Sequence, residues 1–410
     1  IMSDDPSVIR KRAKAVLEAG EILRGRSVAE RARWLEASAK ALAEDAPLGR
    51  EARETLPGET GSSDAMVAWA LRTTLETVSR DALAGLAKDA MEVFGARPDP
   101  ISLLSVVLAG NVFTASVRGI VVPLLFGVPV LVKASSHETR FPILIREALR
   151  RADAELGMAM DLVMFPGGDV DREAALLELA EAVAVYGADE TVRAIRQRID
   201  GHMQVIAHGH GVSAAYCSAR SLAPESIDDT MARMALDLAA YDQRGCLSPQ
   251  VIYLEETPRT PVDSFATRLS EALEVVAETL PRGPLPEAVG AAQTQWRGLA
   301  EVEGTLVRGR AHALAINRSG AVRWSPGYRN ATIVPVRTLD DALASMTAFV
   351  MHLKCVGTDP ATRRELEVRF GESASWKAYA TEVGTMQTPA LEAPADGRPV
   401  WEGLFRARRR

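Results

Sequence analysis

Residues 101–136 read ISLLSVVLAGNVFTASVRGIVVPLLFGVPVLVKASS. From Ile101 to Val132 the only charged residue is Arg118, and the run is long enough to span a bilayer. Gly110, Asn111, Gly119, Pro123, Gly127 and Pro129 interrupt it, and a lipid-facing helix would bury Asn111 and Arg118 without partners. Two strands around a short helix suit the composition better, because a strand covered on both faces is apolar throughout. We therefore read ISLLSVVLAG as a strand and FTASVRGIVVPLLF as a crossover helix stopped by Gly127. VPVLVKAS (128–135) is then a second strand, and no membrane span is expected.

The same grammar continues outward. FPILIREALRRADAEL reads as a helix, DLVMFPGG as a strand closed by a glycine pair, REAALLELAEA as a helix and AVAVYGA as a strand. DETVRAIRQRI is helical, and HMQVIAHGHGVSAAYCS holds one or two further strands. Alternation over 101–217 predicts a parallel, doubly wound sheet, which binds ligands at the carboxyl ends of its strands. Upstream, residues 7–45 and Asp64–Met91 are helical, with a capping box at Ser27 and Glu30. Downstream the pattern restarts. IDDTMARMALDLAAYDQ is an amphipathic helix behind Ser226 and Asp229, stopped by Gly245. SPQVIYLEE is a strand and PVDSFATRLSEALEVVAETL a helix, while PRGPLPEAVGAAQTQWRG reads as a loop with a short helix. ALAINRS, VRWSP and ATIVPV read as strands and TLDDALASMTAFVMHL as a helix, giving two α/β halves.

A length of 410 residues suits two domains or one large α/β unit. A net charge of −6 points away from nucleic acid as a partner. The basic terminus RARRR (406–410) reads as a solvated tail. Three cysteines without CxxC spacing argue against a disulfide framework and a cysteine zinc site, and fit a reducing cytoplasm. The first residues contain early acids and no apolar core, so no signal peptide is expected.

Neither a G-x-G-x-x-G fingerprint between strand and helix nor a phosphate loop is present. His202, His208 and His210 cluster in sequence, with His208 and His210 on one face of a strand, but no carboxylate or cysteine lies at ligand spacing and no metal is expected. DQRGCLSPQ (242–250) places Cys246 in a loop between helix and strand. Such a turn offers an accessible thiol and a free backbone N–H for an oxyanion. The preceding helix presents its negative end to the loop, which disfavours a thiolate unless Arg244 or a bound cofactor offsets it. Local context leaves a structural cysteine and a nucleophile equally open.

The order of GN, VPVLVKASS, FPGG, VYGADETV, HGHG and GC resembles the aldehyde dehydrogenase superfamily. Together with DQRGCLSPQ, CVGT and the segment GTMQTPALEAPADGRPVWEGL, it is most similar to the long-chain acyl-CoA reductases related to the bioluminescence fatty-acid reductase. The resemblance implies an α/β fold of two doubly wound domains with parallel sheets. It implies that residues 1–212 comprise N-terminal helices and an NADP-binding domain, that 213–356 form the catalytic domain, and that 357–410 pack back on the first.

By motif, Cys246 takes the place of the acyl-accepting nucleophile and Asn111 that of the oxyanion-holding amide. Lys133, with Ser135 and Ser136 in LVKASS, takes the place of the adenosine-ribose contact. Ser136 stands where NAD-preferring members carry a glutamate; with His137 and Arg140 nearby, this favours NADPH. Gly187, Ala188 and Thr191 match the turn and helix start beneath the cofactor diphosphate. His208 lies nearest the position of the superfamily's hydrolytic glutamate, with a role as proton donor or water positioner. The segment replacing the nicotinamide-ribose motif lies near SPGYRNATIVPV and yields no ribose contact. The implied activity is NADPH-dependent reduction of a fatty acyl thioester, acyl-CoA or acyl-carrier, to the aldehyde. Alternatives are an oxidative aldehyde dehydrogenase and a non-catalytic scaffold for a partner enzyme. A homo-oligomer, with an acyl-carrier protein or enzyme as a further partner, is also implied.

Overall fold

The computed structural model describes residues 3–95, 99–199 and 201–406, so nearly all of the basic terminus lies outside the described residues. Five helices come first: α1 (Pro6–Gly25), α2 (Val28–Ala41), α3 (Pro47–Thr60), α4 (Asp64–Glu76) and α5 (Arg80–Phe94). The capping box forms: Ser27 accepts from the Glu30 N–H, and Glu30 accepts from the Ser27 N–H. The run read as one helix from Asp64 is two, because Ser79 caps a new start at α5.

The first sheet is built from β1 (Leu104–Val107), α6 (Ala115–Leu125), β2 (Val130–Lys133), α7 (Arg140–Ala152), β3 (Met160–Val163), α8 (Val170–Leu177), β4 (Ala182–Tyr186), α9 (Asp189–Arg196) and β5 (Gln204–His208). All five strands are parallel, in the order β3-β2-β1-β4-β5. Their order reverses between β1 and β4, which opens a crevice at the carboxyl ends of those strands. Alternate residues serve opposite faces. Leu104 and Val106 join the core with α2, α6 and α7, while Leu103 and Val107 join the one with α1 and α8. Arg118, the charge inside the apolar stretch, donates to the backbone carbonyls of Leu391 and Ala393. Among the described residues, no helix is long and apolar enough to cross a membrane.

The second sheet comprises β6 (Val212–Cys217), α10 (Ile227–Ala239), β7 (Pro249–Glu255), α11 (Val262–Thr279), α12 (Glu287–Glu303), β8 (Thr305–Arg308), β9 (Ala313–Ile316), β10 (Asn330–Val336), α13 (Leu339–Met346), β11 (Leu353–Thr358), α14 (Pro360–Gly371) and β12 (Tyr379–Glu382). The strand order is β12-β11-β6-β7-β10-β9-β8, parallel except between β8 and β9. Two local expectations fail. VRWSP forms no strand. The Pro/Gly-flanked segment after Leu280 holds a helix of 17 residues, α12, whose Trp296 and Ala300 pack on Ala313 and Ala315 of β9.

The boundary expected at 356/357 falls inside β11. Residues through β12 stay with the second sheet, because β12 extends it in parallel register from Cys355↔Tyr379. Only the last segment returns to the first sheet, where Leu391, Trp401, Leu404 and Phe405 enter its core and the Ile101 N–H donates to Leu404 at 3.0 Å. We call this segment the strap. Only Gly209, His210 and Gly211 separate β5 from β6. The amino ends of the second sheet therefore face the carboxyl ends of the first, and the site lies between them.

Candidate active site

The loop that carries Cys246 is made by a reversal that glycine does not provide. Helix α10 stops at Ala239, ahead of Gly245, and Tyr241, Asp242 and Gln243 follow with φ of 52°, 52° and 58°. A left-handed non-glycine residue costs roughly 1–2 kcal/mol, so three in succession need strong partners. Asp242 pairs with Arg329 at 2.8 Å, both side chains being almost wholly buried, and also accepts from the Gly283 N–H at 3.0 Å. Gln243 donates to the carbonyls of Pro249 and Asn330 at 2.8 Å and accepts from the Asn330 N–H at 2.9 Å. The Tyr241 hydroxyl lies 2.8 Å from that of Thr114. The SPGYRN segment (325–330) thus acts as the clamp beneath the cysteine loop.

Cys246 is the exposed cysteine, whereas Cys217 and Cys355 are buried in the second sheet. Its carbonyl accepts from the Ser213 hydroxyl at the start of β6, at 2.8 Å. From the opposite side, the Asn111 side-chain amide donates to the carbonyl of Arg244 at 3.2 Å. The loop after β1 is thereby tied to the cysteine loop, and Asn111 and Cys246 share one locus. Cys246 is exposed as a residue, but protein atoms crowd its thiol. That crowding pushes the thiol above its ordinary pKa; Lys354 acts against the rise and Asp396 adds to it. Arg244 does not supply the offset expected of it. Its guanidinium is held by the Thr60 carbonyl at 2.6 Å and the Ser62 hydroxyl at 2.5 Å.

His208 ends β5, and His210 lies beyond the strand in the linker, so the two do not share a strand face. The His208 ring stacks on Tyr186 with centroids 4.4 Å apart, and Nδ1 lies 3.3 Å from Asp396 Oδ2. Asp396 also pairs with Lys354. Together these partners outweigh burial and hold its carboxyl at about 2. Lys354 and Asp396 were not singled out in the sequence. A signal existed for Asp396: Asp-Gly at 396–397 has φ of 54° and 70°, and Ala395 and Arg398 exchange backbone hydrogen bonds at 2.9 and 3.0 Å across it. Asp-Gly marks this kind of tight turn. Among the described residues no group of three or more His, Cys, Asp or Glu could hold a metal ion.

The residues matched to cofactor binding gather at the carboxyl ends of β2 and β4, on either side of β1. Lys133 ends β2, buried, with its ammonium 5.3 Å from the Phe165 ring centroid and 3.3 Å from the Ala134 carbonyl. Burial lowers its pKa. Ser135 is buried and accepts from the His137 N–H at 3.2 Å, while Ser136 is exposed. Across β1, Gly187 and Ala188 lead into α9, whose start has no side-chain cap. The Thr191 N–H donates to the Ala188 carbonyl at 2.9 Å. Asp189, the acid at this start, is turned aside to accept from the His210 N–H at 3.0 Å. A buried ammonium with no carboxylate partner among the described residues, an uncapped helix start and an exposed serine form a donor set that fits a dinucleotide diphosphate and ribose. Arg140 is not free to join them, since it pairs with Glu51.

The family model described as acyl-CoA reductase (LuxC) matches residues 32–397. The chain belongs to the LuxC acyl-CoA reductase family. It is accordingly an oxidoreductase that reduces a fatty acyl group to the aldehyde. No functionally curated protein matches it in sequence. Among solved structures, the fold is similar to that of a protein described by cofactor and substrate selection in Gox0499, with TM-score 0.70 and 14% identity over 98% of this chain and 91% of that one. A NAD-dependent benzaldehyde dehydrogenase from Corynebacterium glutamicum gives 0.71 and 16% over 94% and 89%. An NADP-dependent glyceraldehyde-3-phosphate dehydrogenase from Bacillus halodurans C-125, complexed with NADP, gives 0.67 and 16% over 93% and 84%. The LuxC member thus carries the aldehyde dehydrogenase fold expected from its motifs.

Proposed function

We propose that this LuxC-family chain reduces long-chain acyl-CoA with NADPH through an acyl group carried on Cys246. The observation that carries the reading is the convergence of the exposed Cys246 and the Asn111 amide, joined through the Arg244 carbonyl at 3.2 Å. The Cys246 thiolate attacks the thioester carbonyl, an enzyme thioester forms, and the CoA thiolate leaves and takes up the proton that Cys246 lost. Asn111 and the Cys246 N–H hold the oxyanion of each tetrahedral species. Such neutral, preset donors stabilise developing charge without trapping it as an ion pair.

The nicotinamide cofactor supplies a hydride to the thioester carbonyl carbon. Lys133 and Ser136 would hold its adenosine ribose, and Gly187, Ala188 and Thr191 would lie beneath its diphosphate, where Gly187 has no side chain to block approach and the start of α9 favours an anion. Ser136 and the neighbouring His137 present no carboxylate to repel a 2′-phosphate, and the buried Glu138 is engaged with the Phe141 N–H at 2.7 Å. Collapse of the oxyanion releases the aldehyde and restores the Cys246 thiolate. His208, oriented by Asp396, returns a solvent proton to this thiolate and restores the thiol, and no carboxylate replaces it at position 208 to activate water. The test is NADPH oxidation across acyl-CoAs of increasing length by the wild type and Cys246→Ala. Activity confined to the wild type is expected; turnover by Cys246→Ala would overturn the reading.

A further inference from the structure

The helix end and the crowded surroundings of the thiol leave unexplained what ionises Cys246, and Arg244 is committed elsewhere. Among the described residues, the second sheet brings one further cation to bear on the thiol. In the pairing of β11 with β6 the register shifts between Leu353 and Cys355, so Lys354 is the residue left over in the bulge. A bulge re-aims a side chain out of the ladder. The adjoining pair is Cys355↔Ser213, and Ser213 is the residue whose hydroxyl holds the Cys246 carbonyl. The Lys354 stem crosses the backbone of Gly211: a Cβ there would sit 2.1 Å from Lys354 Cε and 2.4 Å from Cγ. The second glycine of HGHG is therefore required by the path of this lysine.

The Lys354 side chain is only 12% exposed and ends on Asp396, itself 19% exposed. Asp396 comes from the strap, on the Asp-Gly turn, and is shared by His208 at 3.3 Å and Arg398 at 4.0 Å. The other titratable groups around the sulfur are Cys355 on β11 and Tyr379 on β12, both driven toward their neutral forms by burial. Lys354 and Asp396 are thus the charges of opposite sign that act on the thiol.

We propose that Lys354 is the cation that supports the Cys246 thiolate, and that Asp396, anchored by His208, holds Lys354 back from it. The proposal rests on Cys246 being the nucleophile. On ionisation the proton passes to water. In the resting enzyme the ammonium rests on the Asp396 carboxylate, which keeps the thiol from reacting indiscriminately. Lys354 and Asp396 are positioning residues: neither needs to touch the acyl group.

The experiment is the pH dependence of Cys246 alkylation by iodoacetamide, followed by mass spectrometry of the Cys246 peptide in the full chain. Lys354→Met should raise the midpoint by about one pH unit, leaving roughly tenfold less thiolate near neutrality, and Lys354→Arg should restore it. Asp396→Asn should move the midpoint the other way by a similar amount. Gly211→Ala, which displaces the lysine stem without removing its charge, should follow Lys354→Met. Midpoints that stay in place, or that shift in the same direction for Lys354→Met and Asp396→Asn, would overturn the proposal, since a packing defect has no reason to change sign. If Lys354→Met does not fold, the downward shift in Asp396→Asn decides alone. Failure of the wild type to form an acyl adduct on Cys246 would instead defeat the nucleophile reading, whatever the midpoints.

Discussion

At the scale of single residues, the site divides into what motif order reveals and what only folding assembles. Cys246, Asn111 and Lys133 stand in recognisable strings. Asp396 lies 188 positions from His208 and 42 from Lys354, so no local pattern could have joined them. Replacing Asn111 by Ala should lower kcat by about 10²–10³ with little change in KM, the usual cost of one oxyanion donor, measured with saturating acyl-CoA. Ser136→Glu should reduce kcat/KM for NADPH at least about tenfold and spare NADH, because a carboxylate repels a 2′-phosphate and accepts from a ribose hydroxyl. Glu138 carries a prediction about stability. Burial pushes its carboxyl up to about 7, so the folded state binds this proton more tightly than the unfolded chain does. That contribution is full below the unfolded value near 4.5 and is lost as pH rises through about 7. Glu138→Gln, neutral throughout, should therefore gain on the wild type from pH 5 to pH 8, levelling at about 3 kcal/mol, as read by chemical denaturation at each pH.

Among the elements, the strands and crossover helices of the first sheet were legible because burial on both faces writes itself as apolar runs between turn residues. The end of α10 was not. Gly245 looked like the stop, yet Tyr241, Asp242 and Gln243 turn the chain earlier. Propensity disfavours them there; the buried Asp242–Arg329 pair and the Gln243–Asn330 exchange override it. Arg329→Met should leave Asp242 buried without its partner and cost about 3–5 kcal/mol in denaturant unfolding. The same variant should slow acyl transfer more than it weakens cofactor binding, because the clamp lies under the cysteine loop and not under β2 or α9.

For the whole molecule, two α/β halves were readable, but the path of the C-terminal segment was not. Its first part extends the second sheet through β12, and only the strap crosses back. The strap stays there because Arg118, lone in an apolar stretch, gathers the carbonyls of Leu391 and Ala393, and because Trp401 and Phe405 enter the first core. Arg118→Met should speed amide hydrogen exchange across the strap while exchange in β1 and β2 stays unchanged. Loosening the strap should also release Asp396 from the site, coupling a distant contact to the reactivity of the cysteine. The proposed chemistry depends most on the acyl group residing on Cys246. The direct test is to mix the protein with long-chain acyl-CoA without NADPH and weigh the Cys246 peptide. We predict a mass gain of one acyl group on Cys246 that disappears, with release of aldehyde, when NADPH is added. An unmodified Cys246 in a preparation that still reduces acyl-CoA would contradict it.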